Sequence, residues 1–272
     1  MNQRRTQQKD KSGQREQKKT RRIFLEHFPQ TVDRLQEAHW FLHQMIMWYH
    51  EADPFRYSLN SFIRSLREVD HMLRAELKPF NKHAIWYRTR IEHLTKKEPL
   101  LQKLVKTRNL IVHQQMLAPS SKATIGICDL RGIRSGLQMD VSPFIDTKKL
   151  ADNAKKAGRG RGLFIPDEDQ AFGVERRWGI KDWGEEEVME LCSKIWLKIA
   201  TLFDEVLVRF GGVPVQFGLS CLHEQQNYRL KVIEFGDEPR VRRRKQRYIK
   251  RKMAEMAKTS QQSKSKKEGE SH

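Results

Sequence analysis

EPLLQKLVKTRNLIVHQQML, residues 98–117, is the stretch on which the reading of this chain turns. Pro99 suits the first turn of a helix, where its missing N–H goes unused. Leu100, Leu101, Leu104, Val105, Leu110, Ile111, Val112 and Leu117 recur at roughly helical spacing and give a broad apolar surface. Three polar side chains, Arg108, Asn109 and His113, interrupt it. Arginine is rarely buried unless it is paired or used. Asn109 and His113 are four apart and share a face. Arg108 lies about 140° round the helix from His113 by the 3.6-residue period. One straight helix does not aim Arg and His at one point; a bend near His113 or a second copy of the helix would.

The preceding sequence reads as more helices. A first spans about residues 21–51, with Phe24, Phe28, Val32, Leu35, Phe41, Leu42, Met45 and Trp48 on its apolar belt and a break or kink expected at Pro29. Asp53-Pro54 ends it. A second covers residues 55–77, burying Leu59, Phe62, Ile63, Leu66, Val69, Met72 and Leu73; Ser61, Arg64, Arg67 and Arg74 lie elsewhere on it, placed to border a cleft. A third covers residues 81–96. Short links favour antiparallel neighbours, hence a bundle. After Pro119 the texture changes. ATIGICDL and GLQMDVSPF, divided by Gly132 and Gly136, read as a hairpin or a pair of short strands. Residues 148–157 read as a short helix, 157–162 as a flexible loop without P-loop spacing, and 163–183 as irregular. Residues 185–210 carry the last strong apolar stripe, ended by Gly211-Gly212. FGLSCL and YRLKVIEF suggest a small hairpin within 213–236. The expected organisation is a basic disordered tail (1–20), a helical domain (21–212) with a β and loop insertion (121–183), a short extended segment (213–239) and a basic tail (240–272), helical near residues 248–256 and then disordered.

Net charge is +19, with +7 in residues 1–22 and +10 in residues 240–272, so the intervening chain is almost neutral. Tails of this kind suit nucleic acid or an anionic surface, and otherwise aid solubility. In VRRRKQRYIKRKM the cations Arg242, Arg243, Arg244, Lys245, Arg247, Lys250 and Arg251 surround Tyr248, a pattern suited to phosphates with a base stacked on the ring. Cys128, Cys192 and Cys221 form no CxxC pair, which argues against a disulfide framework and fits a reducing, cytoplasmic compartment. No apolar run approaches a membrane span, and the N-terminus lacks the apolar core of a secretory signal.

RNLIVH, within LVKTRNLIVH, resembles the signature of HEPN domains, the higher eukaryotes and prokaryotes nucleotide-binding family: Arg, four to six residues, then His, with a polar residue after the Arg. The other Arg-to-His pairs, such as Arg22–His27, Arg34–His39, Arg64–His71 and Arg88–His93, lack the Asn, the apolar spacer or the late helical position. The resemblance implies a mainly α, HEPN-like bundle and a homodimer meeting through the motif helix. It implies an endoribonuclease that needs no metal or other cofactor, with a toxin or defence role. His113 would move protons as the 2′-OH attacks the adjacent phosphate, Arg108 would hold that phosphate and Asn109 would orient either, leaving a cyclic phosphate. The alternatives are a non-catalytic nucleic-acid-binding helical protein, and a partner subunit of an antitoxin or nucleotidyltransferase.

Two other constellations are weaker. His39 and His43 have zinc-chelating spacing but lack HExxH, and read as core or surface residues. Asp167, Glu168 and Asp169 read as a solvated loop, and Glu185, Glu186 and Glu187 as a favourable helix start.

Overall fold

The computed structural model describes residues 26–113, 117, 119–129, 131–158, 165–219 and 228–269. The chain divides into two units: Met1–Ser120 with Trp178–Gln226, and Ser121–Arg177 with Asn227–His272.

Unit 1 is helical: α1 (Pro29–Met47), α2 (Ala52–Leu77), α3 (Asn81–Lys97), α4 (Pro99–His113) and, later in the chain, α6 (Val188–Arg209). Pro29 begins α1 rather than kinking it. The α1 N-terminal amides of Gln30 and Thr31 donate to the Glu76 carboxylate from α2, at 2.8 and 3.2 Å. α2 is buried over most of its surface, through Phe55, Leu59, Phe62, Ile63, Leu66, Val69, Leu73 and Leu77. Its buried Asn60 grips Leu117 from both sides of the amide: Leu117 N–H donates to Oδ1 at 2.9 Å, and Nδ2 donates to the Leu117 carbonyl at 3.3 Å. The α6 stripe buries Cys192, Ile195, Trp196, Phe203 and Val206. The Trp196 indole donates to the Leu35 carbonyl at 3.1 Å. Glu187 caps α6, accepting from the Met189 amide at 2.8 Å and from the Tyr49 hydroxyl at 2.9 Å. Gly211, at φ +82°, follows its end. Trp178 stacks on Phe55 at 4.4 Å between centroids and donates to the Tyr49 carbonyl at 2.8 Å.

Unit 2 is built on a four-stranded sheet, in the order β2–β1–β3–β4, from β1 (Ser120–Asp129), β2 (Gly132–Val141), β3 (Ala171–Gly179) and β4 (Leu230–Phe235). β1 and β2 form the expected antiparallel hairpin, with Ile125 opposite Leu137. The turn uses Gly132 at φ +123°. Gly136 instead lies inside β2, facing Gly126. A Cβ on Gly126 would sit 2.0 Å from the Ser135 carbonyl oxygen, so the two strands close only over glycine there. β3 pairs antiparallel with β4, Ala171 opposite Phe235. α5 (Thr147–Ala157) contributes Leu150 and Ala151 to a core with Ala123, Ile125, Phe172 and Val174. α7 (Pro239–Gly269) follows β4.

The expectation of a mainly α, HEPN-like bundle with a small β or irregular insertion is corrected; the basic tail expected over residues 1–20 and most of the loop expected over 157–162 lie outside the described residues. The architecture is mixed α and β. Residues 171–179 are a strand, not an irregular loop, and the C-terminal basic segment, expected to be helical only near residues 248–256, is helical from Pro239 to Gly269. β3 has neighbours on both edges and is buried along most of its length, so it lacks the polar-apolar alternation by which a strand is recognised. β4 pairs with it from some sixty residues away; the partner expected for it, FGLSCL, lies partly outside the described residues.

Arg176 on β3 has no exposed surface. Its Nε donates to Ser121 Oγ at 2.8 Å and its Nη1 to the Ile145 carbonyl at 2.7 Å, tying β3 to the start of β1 and to the turn before α5. Arg176→Met keeps the length of the stem and leaves those acceptors unpaired in the interior. It should lower stability by about 3 kcal/mol, measured by urea unfolding. A change within about 0.5 kcal/mol, the usual range for inconsequential surface changes, would show that the guanidinium holds nothing in place.

Candidate functional site

Arg108 and Asn109 lie in the last turns of α4, Arg108 half-buried and Asn109 exposed, with Arg108 Nη1 donating to Asn109 Oδ1 at 3.4 Å. His113 is the last residue of the helix, and its side chain lies outside the described residues. Thr107, next to Arg108, is structural: its hydroxyl accepts from the Trp183 indole at 2.8 Å.

The charge of Arg108 is also felt on α2, at His71. The His71 imidazole is held below its ordinary pKa, first by burial and then by Arg67, with Arg108 and Arg74 adding to the effect and Asp70 opposing it. Asp70 is the centre of this cluster. It is only 4% exposed and accepts hydrogen bonds from three side chains. Arg67, one turn before, donates through Nη1; Arg74, one turn after, donates through Nε at 2.9 Å; the Tyr87 hydroxyl donates from α3 at 3.0 Å. Burial alone would push the Asp70 carboxyl up. The hydrogen bonds from Arg74 and Arg67 outweigh it, and the carboxyl is held below its usual range. The same burial, with the Asp70 charge beside it, pushes the Tyr87 hydroxyl well above its ordinary value.

Arg67, Asp70 and Arg74 also line a cavity of about 370 Å³ in unit 1, walled by residues of α2, α3, α4 and α6 and open to the surface beside the exposed Glu92, Lys96 and Gln102. The sequence pointed to Arg67 and Arg74 as cleft-bordering residues but not to Asp70 or Tyr87. A signal for Asp70 was present: it falls between Val69 and Leu73 on a buried helix, with an arginine three before and another four after.

The other candidates resolve into structure. His39 stacks on Trp196 at 4.9 Å and meets His43 edge-on at 4.9 Å. Asp167 pairs with Lys245, and Glu187 is the α6 cap. Among the described residues no group of three or more His, Cys, Asp and Glu side chains is arranged to hold a metal ion. No helix among them is long and apolar enough to cross a membrane.

On α7 the cations sort by helical face. Val241 is buried, and Arg244, Lys245 and Tyr248 are half-buried at the i, i+3, i+4, i+7 spacing of one face. Arg244 pairs with Glu234 at 3.2 Å and Lys245 with Asp167, while Glu234 also receives Lys155 at 2.7 Å. Arg242, Arg243, Arg247 and Lys250 are exposed, as is Arg251, which pairs with Glu255. Arg240, Arg243, Arg244 and Arg247 border one surface concavity.

The sequence profile of one family, described as bacteriophage lambda protein ea47, matches residues 28–234. The chain belongs to that family. The match takes in α1 to α6 and most of the sheet, and it ends before α7 begins. No curated protein and no solved structure matches the chain. The resemblance to HEPN domains is therefore overturned. It rested on one short Arg-to-His pattern, and a chain with 27 Arg and 10 His offers several such pairs by composition.

Asp70 supplies a pH test. Its folded-state pKa is depressed, so it contributes stability fully above the unfolded value of about 3.9, and that contribution is lost as pH falls through the folded value. Asp70→Asn should cost about 2 kcal/mol at pH 7, since the hydrogen bonds removed are charge-assisted but both arginines keep access to water. The gap between wild type and variant, followed by thermal or urea unfolding, should narrow only below about pH 4. A gap that stays constant down to pH 2 would mean that the ionised carboxylate contributes nothing.

Proposed function

We propose that the protein binds nucleic acid through the exposed face of α7, by contacts to phosphates rather than to particular bases. The observation that carries this reading is the division of α7 into two faces. Val241, Arg244, Lys245 and Tyr248 seat the helix, and Glu234 and Asp167 neutralise the two cations on that side. Arg240, Arg243, Arg247 and Lys250 stand exposed on the other side, and none has a carboxylate partner among the described residues. Between Pro239 and Lys252 there is no Asp or Glu. A helix with one face of fixed, unneutralised cations meets a run of phosphates without spending its charge on its own chain. With this goes a cytoplasmic location, supported by the free and buried thiols of Cys128 and Cys192. For RNA cleavage by Arg108, Asn109 and His113 the described residues offer only the hydrogen bond from Arg108 to Asn109, so the reading rests on α7 instead.

The test is fluorescence anisotropy with labelled single-stranded RNA and DNA of unrelated sequence, titrated at several salt concentrations. The triple variant Arg240→Gln, Arg243→Gln, Arg247→Gln should bind all of them at least tenfold more weakly. It should reduce the slope of log affinity against log salt by about 0.7 for each phosphate that the helix no longer neutralises. The charge-matched control Lys78→Gln, Lys82→Gln, Lys97→Gln, three exposed positions in unit 1, should behave as wild type. Equal weakening in both variants would mean that net charge alone is acting, and no weakening in the first would remove α7 from the interface.

A further inference from the structure

We propose that the cavity of unit 1 is a binding site for a small monocarboxylate with an apolar body. The proposal is independent of the nucleic-acid reading, which concerns α7 alone. At about 370 Å³ the cavity stands at the small end of the range that ligand sites occupy. Its apolar wall is drawn from all four helices: Leu66, Ile91, Leu101, Leu104 and Ile199 are each less than a tenth exposed. The space opens to the surface between the exposed Glu92, Lys96 and Gln102, so a ligand can enter with its apolar end against this wall without the bundle opening.

The polar side of the lining favours one kind of head group. Arg67 commits Nη1 and Arg74 commits Nε to Asp70, which locks both guanidinium planes and leaves their remaining N–H groups without partners among the described residues. Asp70 is ionised at neutral pH, its carboxyl being held low by those same bonds. The lining cations are Arg67, Arg74 and Lys96, and the lining anions Asp70 and Glu92, a formal balance of +1. One negative charge completes it. A phosphate dianion would exceed it, with Glu92 opposing, and an amine would add to the surplus. A planar carboxylate also matches the fork that a guanidinium presents. The buried Asp70 is thus a positioning residue: it costs desolvation, and what it does is hold two arginines at a cavity wall in fixed orientation.

Calorimetric titration of the full chain with octanoate, octylamine and acetate tests this. Octanoate should bind saturably with one site per chain. Octylamine carries the same body with the opposite charge, and acetate the charge without the body; both should bind at least tenfold more weakly. Arg74→Gln should weaken octanoate at least tenfold. Val105→Trp should abolish binding by filling the cavity from α4, and Thr95→Trp does the same from α3 should the first variant melt early. Arg243→Gln with Arg247→Gln, on α7, should leave octanoate binding unchanged. Octylamine binding as tightly as octanoate would overturn the head-group assignment. Octanoate affinity unmoved by Arg74→Gln and by a folded cavity-filling variant would overturn the site.

Discussion

A helix buried on most of its surface has to satisfy its own polar side chains from within the protein, and α2 is such a helix. Arg56, Ser58, Asn60, Ser65 and Asp70 are all buried along it. Several of the solutions fix a neighbour. Asn60 holds both backbone groups of Leu117 and so fixes the chain just past α4. Glu76, at the far end, receives the first amides of α1 and sets where that helix begins. Asp70 draws Tyr87 inward from α3 and fixes two arginines on α2 itself. The apolar stripe of α2 supplies the driving force for packing, at about 25 cal/mol for each Å² buried, but that force is non-directional. The polar groups determine register, because each leaves an unpaired buried atom if its partner helix slides by one turn.

The helices of unit 1 were legible in the sequence for the same reason that they pack: Leu59, Phe62, Ile63, Leu66, Val69 and Leu73 recur at the helical period and need one apolar environment. The β1–β2 hairpin was legible because it is local. Its outer strand β2 is mostly exposed, and the positive φ of Gly132 marks the turn. β3 escaped because nothing local distinguishes AFGVERRWG. Its glycine permits the close approach of β1, where Cys128 Sγ would lie 2.8 Å from a Cβ on Gly173, and only the acceptors that surround Arg176 in space distinguish it from a solvent-facing cation. A buried arginine is read from sequence as a surface residue or as a catalyst, and here it is a cross-brace.

The same ambiguity surrounds α4. Arg108 stands out as an arginine in an apolar stretch, and the HEPN-like pattern pairs it with a histidine further along the same helix. Charged groups in a bundle pair across helices as readily as along them, and along a helix they pair best at three or four residues. Arg67, Asp70 and Arg74 obey that spacing; Arg108 and His113, five apart, do not. Helix geometry therefore already favoured the α2 cluster over the α4 pair, and only the position of Tyr87 on a different helix lay beyond the reach of the sequence.

α7 shows how a charged segment divides its charge between folding and binding. Its first turns carry nine cations and no carboxylate, a composition that reads as a solvated tail, since like charges along a helix repel and an isolated helix is marginal in water. The seat changes that balance. Val241 is buried at 1% exposure, and Glu234 and Asp167 neutralise Arg244 and Lys245, two adjacent cations that would otherwise repel each other. Because Glu234 is shared with Lys155, the α7 seat is coupled to α5 and the edge strand β4. The order of the exposed cations therefore follows from carboxylates on other elements of the same unit. Their mutual repulsion is left in place on one face, where an approaching polyanion relieves it.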